Sequence, residues 1–286
     1  MTKLLMPNHP FQSHLVLEER ISDATLRAFN VGFDQNKFRL QPLVDVIAEV
    51  IPEFALGYHA GAAIPLSEVR RRLKDAALRV YTTDDYKNRG EFGELILHLL
   101  LRDFCGTIPL VSKIRFKDAD NATAHGFDGV HIVASEQNKQ LWLGESKLYS
   151  DGKAGVKALA KDLKEHLQRD YLKREFTLIS TKLPESIPEI EHWRALLHEH
   201  QKLETVLNSL CIPMVCTYSS GLYGKHSDNT GEYLTDFIAE CKGLHSVFEE
   251  KKIETNVDVI LMLLPIPSKD ELVAKLDERL KHMQAI

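Results

Sequence analysis

The sequence has 286 residues, of which 44% are hydrophobic, so it can bury one large core or two modest ones. Its 36 basic and 41 acidic residues give a formal net charge of −5. This balance excludes a protein that holds nucleic acid through a broad positive field. Any nucleic-acid role must use a local basic patch or a partner protein that binds the nucleic acid.

The first part of the chain predicts an α/β segment. Its expected elements are a strand over His14 to Glu18, a helix from Pro42 to Val50 and a second helix from Pro65 to Arg79. Ser67 stands where the second helix needs a side-chain cap. The pattern changes at Asp85, and we therefore expect an N-terminal α/β extension over residues 1–84 and a second domain over residues 85–286.

A nearly continuous apolar stretch follows Glu94 and predicts a buried helix that ends at Gly106 and Pro109. The strands expected after it are Leu110 to Phe116, Asp128 to Val133 and Leu141 to Lys147, with polar turns at Asp120-Asn121 and over Ser135 to Lys139. The last two strands and the turn between them predict a hairpin.

The rest of the chain keeps alternating between helix and strand. The expected helices are Lys153 to Leu172, Ile187 to Leu210, Glu232 to Lys251 and one that starts at Ser268, and the expected strands are Phe176 to Ser180, Ile212 to Tyr218 and Val257 to Pro265. Ser268 and Glu271 have the spacing of a capping box. Such alternation predicts an α/β or α+β fold with a mixed central sheet flanked by helices.

Three features indicate a cytoplasmic protein with no membrane partner. The longest apolar run, Val259 to Leu264, is too short to cross a bilayer. The first residues lack the apolar core and the cleavage site of a signal peptide. The four cysteines form no CxxC pair and lie mostly among apolar residues, which favours reduced core cysteines over disulfides or a zinc site.

A charged triplet, Glu145-Ser146-Lys147, interrupts an otherwise apolar strand. Successive side chains of a strand point to opposite faces, so Glu145 and Lys147 share a face with Leu143. Burying two charges is costly unless they pair with each other or with an ion. Two interpretations stay open: a structural ion pair, and a metal site in which Glu145 is a ligand and Lys147 acts on a water molecule.

Further carboxylates favour the metal site. Asp128 starts the neighbouring strand and can converge with Glu145 at the open end of the hairpin. Glu94 begins the buried helix that should pack on this sheet, and Glu91, one turn earlier, could take its place. Three carboxylates around one point repel each other unless a cation is present, and oxygen ligands suit Mg²⁺ or Mn²⁺.

This order of elements resembles the PD-(D/E)xK nuclease superfamily over residues 85 to about 172. Arg89-Gly90, with Glu94 shortly after, is similar to the first-helix motif of its Holliday-junction-resolvase-like members. The residues that match the superfamily motif are Asp128, Glu145 and Lys147. One departure is that Phe127 stands where a proline commonly precedes the aspartate.

The whole chain also resembles the HamA family, the nuclease subunits of Hachiman anti-phage systems. The similarity rests on chain length and on four segments, namely Arg89 to Glu94, Gly126 to Gly129, Leu143 to Lys147 and the closing strand Val257 to Pro265. It implies a bacterial defence nuclease that works with a superfamily 2 helicase subunit, HamB. AbpA-type subunits share this character, and the sequence does not separate the two.

The resemblance implies hydrolysis of DNA with little sequence preference. Asp128, Glu145 and Glu94 would bind Mg²⁺ or Mn²⁺, and Lys147 would orient the attacking water. Two basic helices, one with Arg70-Arg71-Arg72, Lys74 and Arg79 and one with Lys153, Lys157, Lys161 and Lys164, could contact phosphates. His192, His198 and His200 lie on a charged helix and are interpreted as solvated.

Two other functions stay open. The chain could be an interaction subunit whose nuclease fold only docks a helicase onto DNA. It could also be a metal-dependent hydrolase that acts on RNA, since the same chemistry permits either substrate.

Overall fold

A seven-stranded mixed sheet runs through the protein, whose computed structural model describes residues 13–57, 64–81, 90–112, 126–135 and 137–286. The strands, in sheet order, are β1 (Glu18–Ser22), β2 (Leu26–Asn30), β9 (Asp258–Ile266), β8 (Leu210–Ser219), β7 (Lys139–Tyr149), β6 (Gly129–Ala134) and β5 (Ile108–Ser112). The four strands β2, β9, β8 and β7 are parallel, and antiparallel strands flank them at both edges. A separate small hairpin joins β3 (Phe33–Asp34) to β4 (Lys37–Phe38).

Helices cover both faces of the sheet, and each face has its own hydrophobic cluster. The face that we call the α4 face carries α1 (Leu40–Glu49), α2 (Ile51–Leu56), α3 (Val69–Val80), α4 (Glu91–Cys105) and α11 (Lys269–Ala285). The opposite α5 face carries α5 (Gly152–His166), α6 (Arg169–Ser180), α7 (Ile190–Leu196), α8 (Leu203–Leu207), α9 (Leu222–Lys225) and α10 (Gly231–Glu249). This arrangement confirms the predicted fold class, a mixed α/β sheet between helices.

The buried helix α4 packs closely on the middle of the sheet because the strands carry glycine beneath it. A Cβ atom added to Gly144 would lie 2.8 Å from Leu97 Cδ1, so only glycine leaves room for the helix at this contact. The helix ends where Gly106 adopts a left-handed conformation with a φ of 62°, as the sequence predicts. Ser268 caps α11 by accepting a hydrogen bond from the backbone N–H of Glu271, which confirms the predicted start of this helix.

Several predicted element boundaries near the N-terminus are wrong. His14 belongs to a short 3₁₀ helix, Ser13–Leu15, and the first strand starts only at Glu18. Helix α3 begins at Val69 after Glu68, and no side chain caps it, so Ser67 does not have the predicted role.

Two further predictions fail on the α5 face. The single helix expected over Lys153 to Leu172 is divided into α5 and α6, with the break at Leu167 and Gln168. The expected strand Phe176 to Ser180 is the end of α6. In place of the long helix expected over Ile187 to Leu210, the chain forms the two short helices α7 and α8. Leu210, the last residue of the expected helix, already belongs to β8.

Some predicted features fall outside the described residues, namely Arg89, the turn at Asp120-Asn121 and the second half of the strand Leu110 to Phe116. The predicted division at residue 84 stays a prediction, but the two parts share one sheet because β2 pairs with β9. Within the described ranges, no helix combines the length and the apolar content that a membrane crossing requires.

Candidate functional site

Strand β7 places the charged triplet between the two helix layers. Its Leu143 belongs to the cluster on the α5 face, and Trp142 belongs to the cluster on the α4 face. Because side chains alternate along a strand, Glu145 and Lys147 point to the α5 face and Ser146 points to the α4 face. A Cβ atom on Gly93 of α4 would lie 3.1 Å from Ser146 Oγ, which agrees with this orientation.

Glu145 and Lys147 form an ion pair that a helix residue extends. Lys147 Nζ lies 2.8 Å from Glu145 Oε1 and 2.6 Å from Oδ2 of Asp162 on α5. Burial alone would lower the pKa of Lys147, but the charge of Glu145 and hydrogen bonds to both carboxylates outweigh it and raise this pKa. The ammonium group therefore stays protonated at physiological pH, and it can donate hydrogen bonds but cannot act as a general base.

Asp128 is held at the open end of the β6–β7 hairpin, as predicted. Its backbone N–H donates to the carbonyl oxygen of Gly144, 2.9 Å away. Its Oδ2 accepts two hydrogen bonds from Ser146, one from the backbone N–H at 2.9 Å and one from the hydroxyl at 2.8 Å. The middle residue of the triplet thus fixes the carboxylate of the neighbouring strand, while the outer two form the ion pair.

Three aromatic side chains, Phe127, His166 and Tyr171, pack beside the site on the α5 face. His166 Nδ1 lies 3.9 Å from Glu145 Oε2, and the His166 ring stacks on Tyr171 with centroids 4.5 Å apart. Phe127, fully buried beside Asp128, packs edge-on against His166 at 4.6 Å. These three rings thus form an aromatic cluster beside the buried carboxylates of Glu145 and Asp128.

The pKa of Tyr171 reflects the acidic side chains that lie around it. Burial is the main cause of its raised pKa, and four carboxylates raise it further: Glu175, Glu145, Asp128 and Asp162. Glu175 is buried against the backbone before Asp128, since a Cβ atom on Gly126 would lie 2.9 Å from Glu175 Oε2. The structure thus brings Asp128 and Glu145 into one acidic neighbourhood.

The donor chemistry suits a divalent cation, although the predicted third ligand starts from the other side of the sheet. Carboxylate oxygens such as those of Asp128 and Glu145 are the ligands that Mg²⁺ prefers. Glu94 and Glu91 are both buried in the first turn of α4, so burial does not decide between them. In the part of the chain that the structure describes, no three His, Cys, Asp or Glu side chains are grouped closely enough to hold a metal ion. The three-carboxylate site therefore stays a prediction.

Sequence reasoning missed four residues of this neighbourhood: Asp162, His166, Tyr171 and Glu175. A signal for two of them was present, because Asp162 and His166 are four residues apart on one helix face next to the apolar Leu159 and Leu163. By itself, the pattern Asp162-Leu163-Lys164 is typical of a solvated helix face, and this is the interpretation that the sequence favours. Asp162 is only partly exposed and pairs with Lys147, so this interpretation is wrong for Asp162.

The remaining polar candidates lie at the surface. Lys153, Lys157, Lys161 and Lys164 are exposed on α5, and Arg71 and Arg72 pair with Glu68 on α3. His198 and His200 lie in the exposed segment between α7 and α8, whereas His192 lies in α7. The lysines of α5 thus provide a basic surface on the helix that carries Asp162.

In a comparison with known families, the HamA family model matches residues 9–280 of the chain. Comparison with curated protein sequences gives no significant match.

Proposed function

Because the chain belongs to the HamA family, it has a Hachiman-related role in anti-phage defence, and we propose that it fills this role as a metal-dependent DNA nuclease acting with a superfamily 2 helicase subunit. One observation carries the nuclease proposal. The buried Glu145 forms an ion pair with the partly buried Lys147 on β7, and Ser146, the middle residue of the triplet, holds Asp128 beside them. A structural ion pair alone would not require the anchored third charge.

Asp128 and Glu145 would hold Mg²⁺ or Mn²⁺, with Glu94 as the third carboxylate. When bound, such an ion supplies Lewis-acid polarisation of a phosphate and lowers the pKa of a coordinated water. The hydrogen bonds from Ser146 to Asp128 keep this carboxylate oriented before the substrate arrives. Such preorganisation avoids a reorientation cost during the reaction.

Lys147 would act as a fixed cation in this chemistry. Its raised pKa keeps the proton on Nζ, so the group donates hydrogen bonds to the attacking water or to a phosphate oxygen. Asp162 and His166 would position it: Asp162 binds Nζ directly, and His166 lies against the partner carboxylate of Glu145. Removing either should weaken catalysis less than removing Lys147.

The charge distribution supports a partner that delivers the DNA. With a net charge of −5, the chain has no broad positive field to concentrate a polyanion. The exposed lysines of α5 can contact the backbone of a strand that is already close. We therefore propose that the lone subunit binds DNA weakly at physiological salt and that the helicase supplies capture and strand separation.

A second function has one observation in its favour. Lys147 lies between two carboxylates, Glu145 and Asp162, as it would in a purely structural bridge. In that case the chain would be an interaction subunit that docks a helicase without cutting. Removing one partner of a buried bridge destabilises a protein strongly, whereas losing a catalytic group does not.

The test is cleavage by Glu145→Gln, a substitution that keeps the shape of the side chain and removes its charge. The wild type and the variant would be purified with and without the helicase and incubated with Mg²⁺, Mn²⁺ or excess chelator. The substrates would be linear, circular and single-stranded DNA, with RNA alongside. We expect metal-dependent DNA cleavage by the wild-type complex and none by the variant.

Glu165→Gln is the matched control, because Glu165 is an exposed glutamate on α5 and its loss should leave cleavage unchanged. Normal cleavage by Glu145→Gln, or full activity in chelator, would overturn the assignment. Unfolding of Glu145→Gln would instead favour the structural bridge.

A further inference from the structure

We propose that a second site, a cavity of about 370 Å³ at the carboxyl ends of three parallel strands, binds a nucleotide. Its volume falls within the usual range of small-molecule pockets, about 300–1,000 Å³. The proposal does not depend on the nuclease activity, since it rests on a different set of residues. The nucleotide could be free or part of a single strand, because both present the same base and phosphate.

Aromatic rings form one wall of this cavity. The ring of Tyr223 contacts Phe38 at a centroid distance of 4.9 Å and Phe33 at 5.6 Å. The Tyr223 hydroxyl donates to the carbonyl oxygen of Pro265 at 2.8 Å, which fixes the ring. Phe38 and Tyr223 are only half-buried, so the wall offers apolar ring surface to a ligand. Nucleobases bind proteins by stacking on surfaces of this kind.

The position of the cavity in the sheet is where α/β proteins bind ligands. It is lined by the segments that follow the carboxyl ends of β2, β8 and β9, three parallel strands. The chain leaves β8 towards α10 on the α5 face and leaves β9 towards α11 on the α4 face. Where neighbouring parallel strands lead to opposite faces, a crevice opens at their carboxyl ends, and this crevice is the usual ligand site.

The rim of the cavity is built rigidly. Asn229 clamps the backbone of Phe33 with two hydrogen bonds, one accepted by Oδ1 at 3.2 Å and one donated by Nδ2 at 3.1 Å. The hairpin turn between Phe33 and Phe38 has two residues in the left-handed region, Gln35 with a φ of 48° and Asn36 with a φ of 60°. Tight two-residue hairpins need this conformation, but it is unfavourable for a glutamine. The fold thus fixes Phe38 and its neighbour Lys37 at the cavity.

The charged residues at the rim predict how the phosphate lies. Lys37 is an exposed cation among the lining residues, and Glu271 in the first turn of α11 is a lining carboxylate. The phosphate should therefore lie towards Lys37 and away from Glu271, while the base stacks on the rings. In this orientation Lys37 should strengthen the binding of an anionic ligand, and Glu271 should weaken it.

The cavity and Lys147 of the candidate nuclease site both lie towards the carboxyl ends of the parallel strands. Lys147 is near the carboxyl end of β7, and β9 is two strands away. Because neighbouring strands are about 4.8 Å apart, β7 and β9 are roughly 10 Å apart across the sheet.

The test measures binding of AMP, of adenosine and of a short oligodeoxyadenylate to the purified full chain by calorimetry, without any divalent metal. We expect Phe38→Ala to weaken binding of AMP about five-fold or more, because an aromatic wall for the base is lost. Phe38→Tyr keeps the ring and should bind as the wild type does. Thermal unfolding of each variant verifies that it is folded.

The charge variants separate the phosphate from the base. Lys37→Gln should weaken the binding of AMP by up to about five-fold and leave the binding of adenosine unchanged. Glu271→Gln should strengthen the binding of AMP. Lys242→Gln, at an exposed lysine of α10, is the matched control. Binding of AMP alone identifies a free nucleotide as the ligand, and binding of the oligonucleotide alone identifies a strand.

Absence of binding by both AMP and the oligonucleotide at millimolar concentration would overturn the proposal. So would a folded Phe38→Ala variant that binds them as tightly as the wild type does. No arm requires cleavage, so a failure of the nuclease proposal leaves this result unaffected.

Discussion

Lys147 shows how a partly buried residue can keep its charge. Its two carboxylate partners approach from the same strand and from α5, and together they outweigh the cost of burial. The raised pKa has a direct consequence for stability. A cation with a higher pKa in the folded state stabilises the fold fully below its unfolded-state pKa, and this contribution is lost as pH rises through the folded-state value.

We therefore predict how Lys147→Met behaves with pH. Its loss of stability relative to the wild type should be constant from neutral pH to about 10.4, the ordinary lysine value, and should shrink only above it. Unfolding by denaturant at a series of pH values measures this difference. Lys242→Met is the control and should lower the free energy of unfolding only slightly at any pH. A difference that disappears well below pH 10 would show that Lys147 is not paired in this way.

At this scale the sequence predicts the strand residues of the site better than the helix residues. Two charges inside an apolar strand are exceptional, so the pattern singles out Glu145 and Lys147 as candidates, whether for a structural ion pair or for a metal site. An acid on an amphipathic helix is ordinary, and Asp162 has the same local pattern as solvated acids elsewhere. Only the packing of α5 on β7 brings Asp162 to Lys147, and no local pattern contains that information.

Among the elements, β7 and α4 depend on each other most closely. The helix packs on the strand through Leu97, and the strand makes room with Gly144. The charged triplet, Glu145-Ser146-Lys147, follows directly after Gly144 on the same strand. A shift of α4 would therefore move the backbone that positions the site.

We predict that Gly144→Ala destabilises the protein by about 1–3 kcal/mol, because its new Cβ atom would overlap Leu97. Leu97→Ala should relieve this overlap, so the double variant should lose less stability than the sum of the two single variants. Unfolding by denaturant of all four proteins measures the coupling. Gly243→Ala, at an exposed helix position with open space around it, should instead be stabilising. Strict additivity at Gly144 and Leu97 would contradict this packing.

The elements that the sequence predicts well are long or have clear ends. Helix α4 has its Gly106 stop, α11 has its Ser268 cap, and β8 and β9 are long apolar runs. The segment Phe176 to Ser180 is short and apolar, and such a run fits a strand or a helix equally well. Its burial at Phe176 and Ile179 continues the helical spacing from Leu172, which becomes apparent only when the preceding helix is placed.

At the scale of the whole molecule, the sheet joins the two ends of the described chain. β9 lies between β2 and β8, so the last strand is flanked on one side by a strand of the first thirty residues. The hydrophobic cluster on the α4 face likewise combines α1, α2 and α3 with α4 and α11. The described residues before position 85 thus complete both a sheet edge and a core.

We predict that residues 85–286 do not fold cooperatively alone, because their β9 edge and the apolar side of α11 would be exposed. Circular dichroism during heating and size-exclusion chromatography measure this. Co-expression with residues 1–84 as a separate chain is the control and should restore a soluble complex with one sharp unfolding transition. A monomeric 85–286 fragment with a sharp transition of its own would contradict the prediction.

The insertion of β9 between β2 and β8 also sets an order of events at the ribosome. Leu26 of β2 pairs with Leu261, about 230 residues later in the chain. At translation rates of about 5–20 residues per second, the first hairpin waits on the order of ten to fifty seconds for its neighbour. During synthesis the nascent chain therefore has an incomplete sheet. Since the strand that completes it is made late, the finished architecture around the candidate site cannot exist until nearly the whole chain has been translated.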